Sequence, residues 1–167
     1  MSFGWKPYVP VARRRRKARK AIATSRRQGE SLLPVTLSGH AIARTFWGKA
    51  WCRNLERYGD FANRLPRGRS YLRAGAVIDL RIGAGTITAR VSGSSLYRTA
   101  VTVAALPKAR WKAIAADCAG SIDSLVELMQ GRLSTHVMER ICREGKGLFP
   151  APNEIAFECS CPDWASM

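Results

Sequence analysis

Two cysteines one residue apart carry the strongest chemical signal in this chain. They stand in the string Cys159-Ser160-Cys161-Pro162-Asp163-Trp164. One intervening residue lets two thiolates converge on one ion where the backbone turns. Pro162 favours such a turn by fixing its own φ. Zinc binding would deprotonate both thiols. A structural zinc takes four ligands in a tetrahedron, and this segment supplies two. Taken alone, the pair suits a half metal site, a buried pair or a redox pair.

The other candidates for chemistry are weaker. Cys118 and Cys142 fall on apolar faces of expected helices, where a free cysteine packs as a small hydrophobe. Cys52 neighbours Trp51 and is expected to pack as well. His40 and His136 have no carboxylate or thiol at a motif-like spacing, and both read as incidental to chemistry. No Ser–His–Asp order, H-E-x-x-H or Walker motif occurs. Gly83-Ala84-Gly85 lacks the lysine, the third glycine and the strand-to-helix setting of a phosphate loop. The chain therefore reads as non-enzymatic, with no catalytic residue and no small-molecule substrate.

Charge points to a different class of partner. The 167 residues hold 28 basic and 12 acidic groups, a net charge of +16. Residues 1–29 carry ten basic groups and no acid. Residues 30–73 carry eight basic and three acidic groups, and residues 74–167 carry ten and nine. The positive field thus belongs to the N-terminal part. Such a field attracts polyanions, nucleic acid first and anionic membrane second. The run Arg13, Arg14, Arg15, Arg16 and Lys17 repels itself, and little apolar sequence follows. Residues 1–31 are accordingly expected to form a disordered basic tail that contacts phosphates. No run of 18 apolar residues and no secretory h-region appears. The expectation is a cytoplasmic protein, with no membrane partner, whose five cysteines are reduced.

The elements that must position these groups follow from hydrophobic period. Trp47, Trp51, Leu55 and Tyr58 recur at helical spacing over residues 45–58, a pattern for a core-facing stripe. Lys49, Arg53 and Arg57 fall on the opposite side of that helix. Residues 64–73 extend the positive surface with Arg64, Arg67, Arg69 and Arg73 around Tyr71, and Gly75 ends the segment. Ala76–Ile82, Thr86–Ser92 and Arg98–Val103 read as three antiparallel strands with glycine-containing turns. A helical run follows. Pro107 opens a first helix, with Trp111, Ile114, Ala115 and Cys118 inward. Ser121 caps a second, with Ile122, Leu125, Val126 and Met129 on one stripe. Ser134 starts a third, with Val137, Met138, Ile141 and Cys142 inward. Ile155-Ala156-Phe157 reads as a short strand leading into the cysteine pair. The fold class is α+β: a basic helical N-terminal segment, a three-stranded meander, a helical run and a C-terminal half zinc knuckle. The expected organisation is a tail at 1–31, an α+β domain at 32–153 and the half knuckle at 154–167.

The string Cys159-Ser160-Cys161-Pro162-Asp163-Trp164-Ala165 resembles the SWIM zinc finger family, whose pattern is C-x-C, a short spacer and C-x-H. Thr45-Phe46-Trp47-Gly48-Lys49-Ala50-Trp51, Arg67-Gly68-Arg69-Ser70-Tyr71, Val91-Ser92-Gly93-Ser94 and Gly147-Leu148-Phe149-Pro150 are similar to its bacterial, actinobacterial-type branch. The resemblance covers about residues 45–167. It implies that Cys159 and Cys161 ligate zinc, with Asp163 and Trp164 packing behind them. It also implies DNA or protein binding, often beside Swi/Snf-type helicases. The C-x-H half is absent, so the resemblance implies a truncated sequence, with the remaining cysteine and histidine ligands expected beyond Met167.

The resulting expectation is a zinc-dependent accessory protein that binds nucleic acid or a helicase. Its phosphate contacts would come from Arg13, Arg14, Arg15, Arg16, Lys17, Lys49, Arg53, Arg57, Arg67, Arg69 and Arg73. One alternative is a protein-interaction adaptor that does not touch nucleic acid. A second is a thiol redox protein that uses Cys159 and Cys161.

Overall fold

The computed structural model describes residues 9–39, 41–58, 64–119, 129–130 and 132–162. His40, the expected helix from Ser121, and Asp163 and Trp164 lie outside them. The chain forms two compact units. The first comprises Met1–Ile42, Arg64–Val101 and Phe157–Met167, and the second Ala43–Asn63 and Thr102–Ala156. Among the described residues there are five α-helices and one four-stranded antiparallel sheet, an α+β fold.

Helix α1 spans Val11–Arg27 in the first unit. Over these residues, part of the 1–31 segment expected to be disordered, the expectation is corrected, and residues 1–8 lie outside the described residues. Alanine, arginine and lysine are strong helix formers, but like charges and cations near the N-terminus oppose this helix. Tertiary packing overcomes that cost. Ala18 and Ser25 are buried, and half-buried Ala21 and Ile22 complete one stripe. That stripe packs against strands β1 (Val77–Gly83) and β2 (Thr86–Ser92). Arg26 and Arg27 lie in the last turn, where cations suit the helix dipole. Gly29, at φ 80°, then redirects the chain.

The sheet orders its strands β1-β2-β3-β4, with β3 at Leu96–Val103 and β4 at Ile155–Cys159. The expected three-strand meander is present, and β4 extends it. Strands β1 and β2 pair antiparallel from Val77↔Val91 to Gly83↔Thr86, with a bulge between Val77 and Asp79. Ala84 and Gly85 form the tight turn, and Gly85 takes the left-handed φ of 67°. Backbone bonds from Val35 N–H to the Val77 carbonyl (3.0 Å) and from Leu80 N–H to the Leu33 carbonyl (2.9 Å) cover the outer side of β1. Ile78 and Ala76 are fully buried. Helix α3, Leu65–Arg73, precedes β1, and Gly75 at φ 63° makes the turn between them.

In the second unit, α2 spans Phe46–Glu56. The Thr45 hydroxyl caps it by accepting from Gly48 N–H at 3.1 Å. Its inward side holds buried Ala50 and Asn54, while Trp47 and Trp51 meet the edge of Phe149 at centroid distances of 6.4 and 5.2 Å. Trp51 is thus half-buried against Phe149, while Trp47 departs from the core-facing expectation and stays exposed with only its Phe149 edge contact. Asn54 Nδ2 and the Tyr58 hydroxyl both donate to the Pro150 carbonyl, at 3.3 and 2.8 Å. Helices α4 (Lys108–Cys118) and α5 (Thr135–Ile141) enclose a core of Ile114, Val137, Met138 and Ile141. Cys118, Cys142, Leu106, Leu133 and Leu148 pack around it. The inward set expected for the last helix is therefore present. Trp111 and Ala115 depart from expectation: both are exposed, Trp111 by 56%. Among the described residues, Ile114 and Cys118 are the α4 side chains in the core shared with the seven-residue α5. Met129, expected on an inward stripe, is 81% exposed.

Candidate nucleic-acid interface and cysteine pair

The division into units sorts the charge. The three segments of the first unit hold 17 basic and 4 acidic residues, a net +13 of the chain's +16. Helices α1 and α3 carry most of that excess and touch each other. Arg14 Nη1 donates to the Ser70 hydroxyl at 3.0 Å, and its guanidinium lies 4.9 Å from the centroid of the Tyr71 ring. Arg15 Nη2 donates to the Arg73 carbonyl at 3.4 Å. Lys17 Nζ donates to the Ser94 carbonyl in the β2–β3 turn.

Helical geometry divides α1 into two sides. Arg14, Ala18, Ala21, Ile22 and Ser25 form the inner side at 3–4 residue spacing. Arg13, Arg16, Arg19, Lys20, Arg26 and Arg27 occupy the outer arc, and all six are exposed. Arg67 and Arg73 on α3 are exposed too, and Arg69 is half-buried. The structure therefore gathers Arg13, Arg14, Arg15, Arg16, Lys17, Arg67, Arg69 and Arg73 in one unit. Arg14 serves mainly to join the two helices. Arg19, Lys20, Arg26 and Arg27 belong to the same surface and were absent from the sequence-derived set. Their signal was helical period, which a disordered reading of the segment discards.

Lys49 and Arg53 lie on α2 and Arg57 caps its C-terminal end, all in the second unit. Lys49 and Arg53 are exposed, and Arg57 pairs with Glu144.

Cys159 ends β4 and is exposed, and Cys161 is half-buried. Ser160 between them is bound to β3 in both directions. Its N–H donates to the Arg98 carbonyl at 3.0 Å, and its hydroxyl accepts from Arg98 N–H at 2.9 Å. Cys161 N–H donates to Cys159 Sγ at 3.2 Å, closing the turn between the cysteines. Beside the pair an open groove crosses the sheet, with Arg90, Arg98, Asp79 and Glu158 among its walls. Two thiols are half of a structural zinc set. Among the described residues no group of three or more His, Cys, Asp or Glu side chains is placed to hold a metal. Cys52, Cys118 and Cys142 belong to the second unit and are half-buried. Burial pushes the Cys142 thiol up. His136 is exposed on α5.

Two carboxylates secure the base of α1 and the strand beneath it. Arg90 bonds Glu30 at 2.6 Å and Ser25 Oγ at 3.2 Å. The Ser25 hydroxyl, together with the Arg90 guanidinium, holds the Glu30 carboxyl below its ordinary value. Burial alone would raise Asp79, but the Leu33 N–H at 2.9 Å and Arg81 at 3.1 Å outweigh it and lower the carboxyl. Both folded values lie below the unfolded ones. Their stabilisation is therefore complete above about pH 4–5 and is lost as pH falls through the folded values. Urea unfolding followed between about pH 6 and pH 3 should show the midpoint falling in acid. Asp79→Asn keeps an acceptor for Leu33 and should flatten part of that fall. An unchanged acid slope in this variant would remove Asp79 from the account.

No family model matches this chain, and no solved structure matches it. The chain is similar to the uncharacterized protein Rv2102 of Mycobacterium tuberculosis (strain ATCC 25618 / H37Rv), with 37% identity over 128 residues. The match takes in 75% of this chain and 46% of that protein, so the chain spans about half the length of the curated relative it matches. No helix among the described residues is long and apolar enough to cross a membrane.

Proposed function

We propose that this protein is a non-enzymatic accessory factor that binds nucleic acid through its first unit. The observation that carries the reading is the anchored pair of basic helices α1 and α3, in a unit whose segments carry a net +13. Arginine and lysine held on a folded scaffold contact phosphates and set orientation without reading bases. Arg13, Arg15, Arg16, Lys17, Arg67, Arg69 and Arg73 supply these contacts, joined by Arg19, Lys20, Arg26 and Arg27. Lys49 and Arg53 are exposed on the second unit and serve as secondary contacts, and Arg57 there already has a carboxylate partner.

The SWIM resemblance adds zinc to the proposal. Cys159 and Cys161 are then two of its ligands, half of a four-ligand structural set. Zinc would cross-link the end of β4 and stiffen the chain there. A Swi/Snf-type helicase is the partner class that the same resemblance implies, and the site of action is the cytoplasm.

The test is binding of a fluorescent DNA duplex by the full chain at about 50 mM salt, read as anisotropy. The triple variant Arg16→Glu, Arg19→Glu, Lys20→Glu changes only exposed residues of the outer arc. It should lose at least about tenfold in affinity while keeping its circular dichroism spectrum. If the unaltered chain binds neither DNA nor RNA at this salt, the reading is overturned and the adaptor alternative stands in its place.

A further inference from the structure

We infer that the basic surface of α1 and α3 takes double-stranded nucleic acid in preference to single strands. This inference rests on the nucleic-acid reading above and specifies its ligand. Three observations carry it.

The first is rigidity. The seventeen residues of α1 span about 25 Å as a helix. Bonds to Ser70, Arg73 and Ser94 and the burial of Ala18 and Ser25 hold it along its length. The helix that carries the cations is thus in place before binding. A fixed array suits a ligand whose phosphates are themselves fixed, because neither side then loses much freedom on association.

The second is charge density. A duplex presents one phosphate per about 1.7 Å of axis, twice the density of one of its strands. The outer arc of α1 places Arg13, Arg16, Arg19, Lys20, Arg26 and Arg27 over successive turns, with no acid in the helix. A straight cationic rod gains most from the denser and stiffer polyanion.

The third is that the described residues of α1 and α3 offer no open stacking platform. Binders of single strands combine a basic groove with aromatic rings on which bases stack. Helix α1 contains no aromatic residue. The one aromatic residue on α3 is Tyr71, and it is half-buried with the Arg14 guanidinium over its ring. A base would have to displace that contact to reach it. The more exposed rings of the described residues, Phe46, Trp47 and Trp111, belong to the second unit.

The experiment measures the full chain against four labelled probes of roughly 20 nucleotides per strand. They are a DNA duplex, an RNA duplex, and one strand of each alone. Anisotropy titrations are run at the same salt concentration. At least one duplex should bind about tenfold more tightly than its own single strand. The two duplex arms show whether one helical form is favoured, and a preference for either supports the inference. Equal or tighter binding of single strands overturns it while leaving the broader nucleic-acid reading intact. Failure of all four probes at low salt overturns both. As a second readout, tyrosine and tryptophan emission should change little as single strands are added, since α1 carries no ring and the one ring on α3 is covered by Arg14. Quenching that saturates with binding would count against the duplex assignment.

Discussion

Raising salt from about 50 to about 200 mM should weaken binding of a DNA duplex by about a thousandfold. The expectation comes from counting fixed cations. Six exposed basic residues line the outer arc of α1. If about six phosphates are neutralised, log affinity falls with log salt at a slope near −5, because each contact releases condensed counterions. The slope is more informative than the affinity itself. A protein-interaction adaptor whose basic helix is a solvated face would show a far weaker dependence. The variant with Arg16, Arg19 and Lys20 reversed to glutamate should bind more weakly and also show a shallower slope, by about 3. A salt-independent complex, or a variant with an unchanged slope, would remove α1 from the interface.

Phe149→Ala should destabilise the second unit by about 3–4 kcal/mol. Phe149 is 8% exposed and meets Trp51 at 69° and Trp47 at 78° between ring planes, both edge-to-face. Truncation removes the buried ring area and leaves a cavity that two indoles border. It also removes two aromatic pairs, each worth about 0.5–1.5 kcal/mol beyond area. Pro150 next to it accepts bonds from Asn54 and Tyr58, which ties the same short segment to α2. Phe149→Leu keeps most of the volume and should recover more than half of the loss. Denaturant unfolding followed by tryptophan emission reads both variants. A loss below about 1 kcal/mol for the alanine variant would mean that the aromatic cluster does not hold the unit together.

The parts of the fold that were readable from the chain are those built on local patterns. Trp47, Trp51, Leu55 and Tyr58 at helical spacing mark α2, and the structure adds its cap bond from Gly48 N–H to the Thr45 hydroxyl. Val, Ile and Thr between glycine turns mark β1, β2 and β3. Val137, Met138 and Ile141 at helical spacing mark the inner face of α5. Each signal spans fewer than about ten residues, so neighbouring side chains suffice to express it.

Other features depend on partners far along the chain. Arg14 reaches Ser70 and Lys17 reaches Ser94, 56 and 77 positions away. Arg90 grips Ser25 and Glu30 from 65 and 60 positions away. Without those partners the run from Arg13 to Lys20 is a self-repelling polycation, and disorder is the proper inference. With them, a short stripe of small side chains has a sheet to pack on. Trp111 illustrates the converse. Its spacing matches a core face, yet 56% of it stays in solvent because no described neighbour covers that part of α4.

The cysteine pair divides in the same way. Composition and spacing alone determined that two thiols stand one residue apart, that the chain is strongly basic and that its charge is concentrated toward the N-terminus. Those are properties of covalent order and need no fold. Only the tertiary structure decided that the pair closes an edge strand pinned to β3 through Ser160, and that the basic run is a helix joined to a second basic helix. Both depend on contacts between segments more than fifty residues apart, and such contacts form only when burial and hydrogen bonding outweigh the entropy of closing the loops between them.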